Sequence, residues 1–279
     1  MHYSVTTSTD LLMLLREYQA LTIYQIVKIL DKEKTRTNIL EKLQKLENQG
    51  LDTTQRLPRL EPVGSSPYCY SLTREGHRVL ANTTDLPIPA KQSPVALEHT
   101  VSINDVAVLA HLLTRQEKRI TLAEMRTESL MKKYPLQLKN NAFLVPDLFV
   151  RLTLFPPYGK QNEQMGLIFE IDHKGTEWAD IIQDKAKKYV EISYGIYQDY
   201  FKLPSLSVIF VVTGSAKTRV KNILSWIQEA VYENKEDADI FLCAAVDLRT
   251  TPPLQFFCES LFYQPFDSSL HPIIEKPSP

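Results

Sequence analysis

The stretch TTDLPIPAKQSPV, residues 83–95, sets three prolines among small polar residues and interrupts every hydrophobic period that reaches it from either side. Each proline fixes its own φ and removes a backbone donor, so the stretch reads as a linker between two differently patterned pieces. A chain of 279 residues is enough for about two domains of ordinary size. The expected organisation is a first domain at residues 1–82, the linker at 83–95, a second domain at 96–249, and an extended or fraying tail at 250–279.

Before the linker the periods are helical. Ser8-Thr9-Asp10 offers an N-cap to a helix through Tyr18, and Ile23, Ile26, Val27 and Leu30 mark a second helix over Leu21–Leu30. A third is expected from Thr35 to Gln49, with Ile39, Leu40, Leu43 and Leu46 on one face and Gly50 as its stop. Two short extended segments follow, Leu51–Leu60 and Pro67–Leu72, and then a helix over Thr73–Leu80. Three helices, a hairpin and a helix make the order of a winged helix-turn-helix. On the third helix, about 100° per residue sets Asn38, Glu41, Lys42 and Lys45 opposite the apolar stripe, on the face that would enter a major groove. With Lys34 ahead of that helix and Arg56 and Arg59 near the wing, the candidate DNA-binding residues are Lys34, Asn38, Lys42, Lys45, Arg56 and Arg59. A merely solvated helix face would carry similar charges, because residues 31–59 hold seven basic residues against five acidic ones.

Overall charge adds nothing to that argument: 32 Lys and Arg against 33 Asp and Glu leave a net charge of −1, so any nucleic-acid surface has to be local. Cys69, Cys243 and Cys258 lie far apart without a CxxC pair, which argues against a disulfide framework or a zinc site and for a reducing, cytoplasmic setting. The N-terminal MHYSVTTSTDLLMLLREYQ reads as a helix rather than a signal peptide, and no apolar run is long enough to span a bilayer, so no membrane association is expected. Neither GxGxxG nor GxxxxGK[ST] occurs, and VTGSAKT at 212–218 lacks the glycine before its lysine. No nucleotide cofactor is therefore expected.

After the linker the pattern alternates, with a helix at Ala96–Arg115, strands at Ile120–Glu128, Phe143–Leu154 and Gly166–Asp172, a helix at Thr176–Tyr194, a strand at Leu206–Val212, a helix at Ser215–Asn234 and a strand at Asp239–Val246. This predicts a mixed α/β domain on a central mixed sheet. The third of these strands ends in FEIDHKGTE, residues 169–177, where an apolar run gives way to charge. Strand alternation sets Glu170 and Asp172 on one face. Asp147, in LVPDLFVRLTL, is an equally unexpected acid among apolar neighbours. From an adjacent strand it could join Glu170 in holding a hard divalent cation, Mg²⁺ or Mn²⁺, through oxygen ligands. On the following helix Lys185 falls within the apolar stripe of Trp178, Ile181, Ile182, Tyr189 and Ile192. Its amine either snorkels to an edge or reaches the acids over the sheet.

Helix, three strands, helix and strand is the core order of the restriction-endonuclease-like, or PD-(D/E)XK, fold. The chain also resembles the replication-relaxation family in PYCYSLTREGHRVL (67–80), Glu98-His99-Thr100 followed by Asn104-Asp105, Pro146-Asp147, Phe169-Glu170-Ile171-Asp172 with Gly175-Thr176-Glu177, and Lys185 followed by Tyr189. The resemblance spans roughly residues 10 to 230. It implies a winged helix joined to a nuclease-like domain and a role in plasmid or mobile-element replication, DNA relaxation or their regulation. The nuclease pattern sets Lys two residues after the Glu, where this chain has Asp172. Three explanations stay open: Asp172-His173-Lys174 is the working D-x-K, Lys185 supplies the amine, or the site is a relic kept for binding. The candidate catalytic residues are thus Asp147, Glu170, Asp172, Lys174 and Lys185. The first reading is a DNA-binding protein with an inactive nuclease-like domain, partnered by double-stranded DNA and by replication or mobilisation proteins. The alternatives are a metal-dependent nuclease or nickase using Asp147 and Glu170, and a protein-interaction module without nucleic-acid contact.

Overall fold

Two capping boxes open the described chain in the computed structural model. Thr7 accepts the Asp10 N–H at 3.1 Å while the Asp10 carboxylate takes the Thr7 N–H at 2.6 Å, starting α1 (Ser8–Tyr18) one residue before the expected cap. Thr22 and Gln25 repeat the arrangement at 3.3 and 2.9 Å for α2 (Ile23–Ile29). The helix expected from Leu21 is therefore shorter, because Ala20–Thr22 are extended and form β1. Residues 7–30, 36–57, 68–80, 92–139, 141–159, 162–173, 177–203, 205–214 and 216–275 are described, in two units spanning 1–108 and 109–279. The linker at 83–95 lies outside the described residues up to Lys91.

In the first unit α3 (Arg36–Asn48) buries Ile39, Leu43 and Leu46, as its period requires, and is followed by β2 (Asp52–Arg56), β3 (Tyr68–Leu72) and α4 (Arg74–Val79). The three strands form an antiparallel sheet in the order β1-β3-β2. Gly76 of α4 has no alternative, since a Cβ there would stand 2.0 Å from the Leu51 carbonyl oxygen. The helix α5 (Pro94–Gln116) begins with a proline, whose missing N–H is unneeded in a first turn. Its first half belongs to this unit: Asn104 donates to the Tyr18 and Ala20 carbonyls at 2.9 and 2.7 Å, and Gln25 donates to the Val101 carbonyl at 2.8 Å and to Asp105 at 2.7 Å. Asn104-Asp105 thus ties α5 to the α1–β1 turn and to α2.

The second unit runs β4 (Ile120–Thr127), α6 (Glu128–Lys133), β5 (Leu136–Gln137), β6 (Phe143–Leu144), β7 (Leu148–Leu154), β8 (Glu163–Asp172), α7 (Ala179–Glu191), α8 (Tyr197–Phe201), β9 (Leu206–Thr213), α9 (Lys217–Ala230), β10 (Phe241–Val246), α10 (Pro253–Cys258), β11 (Phe262–Tyr263) and β12 (Leu270–His271). Seven of these strands form one mixed sheet, β12-β11-β10-β9-β8-β7-β4, in which β8, β9 and β10 are parallel and the other pairings antiparallel. One face packs Ile168, Val208 and Phe210 with Ile182 and Ala186 of α7 and Ile223 of α9. On the other, Phe169 stacks with Phe256 and meets Phe257 edge-on, both of α10, at centroid distances of 6.2 and 6.3 Å.

Three expectations fail here. The strand expected over Phe143–Leu154 is two strands: β6 pairs with β5 as a small hairpin, and Val145-Pro146-Asp147 separates it from β7. Pro146 is the reason, having no N–H for a ladder. The tail, expected to be extended or frayed, folds through Glu275 instead, because Phe256, Phe257 and Phe262 are each fully buried and β11 and β12 extend the sheet. Trp178 and Ile181 also leave the stripe assigned to them, at 76% and 41% exposed; for Trp178 the reason is that it is the N-cap of α7 and precedes its helical period.

Candidate functional site

Glu170 and Asp172 project from the end of β8 toward α7 and α9, as the alternation of that strand predicts, and both are about 1% exposed. An isolated carboxylate at such depth would be strongly disfavoured. Each has a cation from a different helix. The Lys185 ammonium lies 2.7 Å from Glu170 Oε2 and 2.5 Å from Glu177 Oε1, bridging the two acids. Tyr189, one turn beyond Lys185 on the same face of α7, donates its phenolic O–H to the other oxygen of Glu170. Asp172 meets Arg219 of α9 in a bidentate pair, 2.6 Å to Nε and 3.1 Å to Nη2, and Arg219 also donates to the Glu177 carbonyl. The Arg219 guanidinium lies over the Trp226 ring at 4.9 Å. Glu177 therefore joins the two pairs, its side chain serving Lys185 and its backbone Arg219.

Asp147 stands at the end of the β7–β8 ladder, where Leu148 pairs with Phe169. Its Oδ2 accepts the Ile171 N–H at 2.8 Å, taking a backbone donor that lies beyond the last pair of that ladder. Burial pushes the Glu170 carboxyl up to about 7, with Lys185 opposing and Asp147 adding to the rise. Burial alone would depress the Lys185 ammonium, but Glu170, Asp147 and Glu177 together raise it. Burial and the Glu170 charge push the Tyr189 phenol well up.

Both Glu170 oxygens and Asp147 Oδ2 already accept hydrogen bonds from the protein, so a divalent cation held by these acids would have to share their oxygens with an ammonium, a phenol and a backbone amide. Among the described residues no cluster of three or more His, Cys, Asp or Glu could hold a metal ion.

Of the candidate catalytic residues, the fold thus brings Asp147, Glu170 and Lys185 together, while Asp172 faces Arg219 and Lys174 lies outside the described residues. In the first unit Asn38 and Lys45 are exposed on α3, Lys42 is half-buried, and Arg56 is exposed at the end of β2; Lys34 and Arg59 lie outside the described residues. The sequence reading missed the roles of Glu177, Tyr189 and Arg219. Tyr189 had a signal, its four-residue spacing from Lys185.

A chain of two units, the larger a mixed α/β fold with paired charges at the end of its central strands, is the class that the fold and site define. The family model described as Replication-relaxation matches residues 12–204, and the chain belongs to that family. Membership ties it to replication or relaxation at family level. No curated protein and no solved structure matches the chain. Among the described residues no helix is long and apolar enough to cross a membrane.

Proposed function

We propose that the chain is a DNA-binding protein of plasmid or mobile-element replication, relaxation or their regulation, in which a winged helix engages duplex DNA and a nuclease-like unit acts without cleaving it. The element order α1-β1-α2-α3-β2-β3 and the sheet order β1-β3-β2 support the winged-helix part. One observation carries the non-cleaving part: Glu170, 1% exposed, has both oxygens engaged by Lys185 and Tyr189, an arrangement that holds charge in a core rather than presenting it to a substrate. Duplex binding is tested by titration at several salt concentrations, with Lys42→Ala plus Lys45→Ala expected to weaken binding and lower the log-log salt slope by about one for each phosphate no longer neutralised. An unchanged slope would remove α3 from the interface.

The second reading, a metal-dependent nuclease or nickase, is favoured by the convergence of Asp147, Glu170 and Lys185 at the ends of adjacent strands. Calorimetric titration with Mg²⁺ or Mn²⁺ separates the two. Millimolar ion binding by the wild type that is abolished in Glu170→Gln would favour the nuclease. No binding, together with destabilisation of Glu170→Gln, would leave the charges a structural role.

A further inference from the structure

We propose that Arg36 and Arg56, each laid over a tyrosine ring, are paired phosphate contacts through which the first unit grips duplex DNA independently of sequence. This rests on the DNA-binding reading above and adds residues to it. Arg36 opens α3, and its guanidinium carbon lies 5.1 Å from the centroid of the Tyr24 ring. Arg56 ends β2, 5.2 Å from the centroid of the Tyr68 ring, and its Nε donates to the Tyr68 hydroxyl at 2.9 Å. All four side chains are exposed, Tyr24 at 59% and Tyr68 at 42%. Large rings left in water beside cations are not explained by burial.

Tyr70 links the two pairs. Arg56 is directly opposite Tyr68 in the β2–β3 ladder, and Thr54 is opposite Tyr70, so Arg56, Tyr68 and Tyr70 share a sheet face. The Tyr70 phenol, raised mainly by burial and further by Glu47 and Asp52, is held back by the positive charge of Arg36 and lies beside Tyr68. Tyr70 thus shares a sheet face with Arg56 and Tyr68 and feels the charge of Arg36.

The partnering of these arginines differs from that of others in the chain. Arg126 and Arg151 share Glu124, Arg219 holds Asp172, and Arg78 meets Glu75. Among the described residues no carboxylate pairs with Arg36 or Arg56. A guanidinium stacked on a ring keeps its planar edge of N–H donors outward and loses less freedom when it binds. Phosphate, like carboxylate, offers the paired oxygens that such an edge fits, and an exposed stack by itself is worth only about 0.5–1 kcal/mol of stability. One such edge at the start of α3 and another at the end of β2 suit a duplex backbone, which offers phosphates on both sides of a groove.

The test uses the full chain and fluorescence anisotropy on two labelled duplexes of unrelated sequence, each over a range of salt. Arg36→Ala and Arg56→Ala are expected to raise Kd about tenfold on both duplexes and to lower the salt slope by about one each. Arg36→Lys should keep the slope but reduce affinity severalfold, and Tyr24→Ala should weaken binding although it removes no charge. Denaturation curves matching the wild type establish that the variants are folded. Unchanged Kd and slope in both alanine variants would overturn the proposal while leaving DNA binding in place. So would a loss confined to one sequence or an Arg36→Lys variant equal to wild type. Failure of the wild type to bind either duplex would overturn the DNA-binding reading itself, and this proposal with it.

Discussion

Replacing Lys185 by Met keeps most of the apolar stem and deletes the ammonium, leaving Glu170 with Tyr189 as its donor. The wild-type pair lies at 2.7 Å, with Lys185 19% and Glu170 2% exposed at the side chain, so solvent screens little of the loss. Removing one partner of a buried pair typically costs about 3–5 kcal/mol when the other stays charged. Glu170 has a way out, because its carboxyl already titrates at about 7 and would move up further without Lys185. A raised carboxyl pKa means that the folded state holds a proton the unfolded state has released, so stability falls as pH rises through that window. At pH 6 Glu170 is protonated in both proteins, and the variant should lose only a hydrogen bond, about 1 kcal/mol. If the pKa rises by about two units, the extra loss appears between about pH 7 and 9 and brings the total to about 3 kcal/mol at pH 9. Trp178 and Trp226, the two tryptophans of the chain, both lie in the second unit, so urea denaturation followed by their fluorescence reports on the unit concerned. Adding Glu170→Gln should remove the pH dependence, since no charge is then stranded. A loss equal at pH 6 and pH 9, and unchanged by the second substitution, would refute the ion-pair account and leave Lys185 as a packing stem.

Three further outcomes follow from the same geometry. Asp52 is 2% exposed, neither of its carboxylate oxygens has a hydrogen-bond partner among the described residues, and burial followed by the Glu47 charge pushes its carboxyl up to about 7. Its folded-state pKa is raised, so the wild type loses stability between about pH 4 and 7, and Asp52→Asn should match it at pH 4 but exceed it by about 2–4 kcal/mol at pH 8 in denaturation followed by circular dichroism. Asp147→Ala should cost about 1–3 kcal/mol by orphaning the Ile171 N–H, whereas Asp147→Asn, which keeps an acceptor, should recover most of that in urea unfolding. Arg219→Gln leaves the fully buried Asp172 side chain without its cation and should cost about 3–5 kcal/mol by tryptophan fluorescence, with Arg219→Lys falling between it and the wild type.

What the sequence disclosed follows from which interactions are local. Periods are local, so α3 with Ile39, Leu43 and Leu46, and β8 with Glu170 and Asp172 on one face, were legible from spacing alone. Lys185 was legible because a cation inside an apolar stripe needs a partner, and Glu170 is that partner. The Phe143–Leu154 segment misled because apolar content continues across Pro146, while the ladder, which depends on backbone donors, does not. The tail misled for the opposite reason: its prolines advertise breaks, but Phe256, Phe257 and Phe262 supply enough apolar surface to fold it between those breaks.

The Asp172 position shows why the site could be located but not completed. Next to Glu170, Asp172 looked like a defect in an E-x-K pattern, to be repaired by Lys174 or Lys185. In the fold it faces Arg219, which lies 47 residues further along the chain and beyond residue 204, where the family match ends. A lysine at 172 would set an ammonium against that guanidinium at full burial, so an acid at this position serves a charge pair with α9. Lys185 is committed in a similar way, because Glu177 takes its second hydrogen bond, and Glu177 in turn accepts Arg219 through its backbone. The two cations and three acids at the end of β8 are thus one interlocked set, in which β8 supplies Glu170 and Asp172 and α7 and α9 supply the amine and the guanidinium. Pairing at that depth anchors both helices to one end of the sheet. It also accounts for acids at the end of an apolar strand without requiring that any of them meet a substrate.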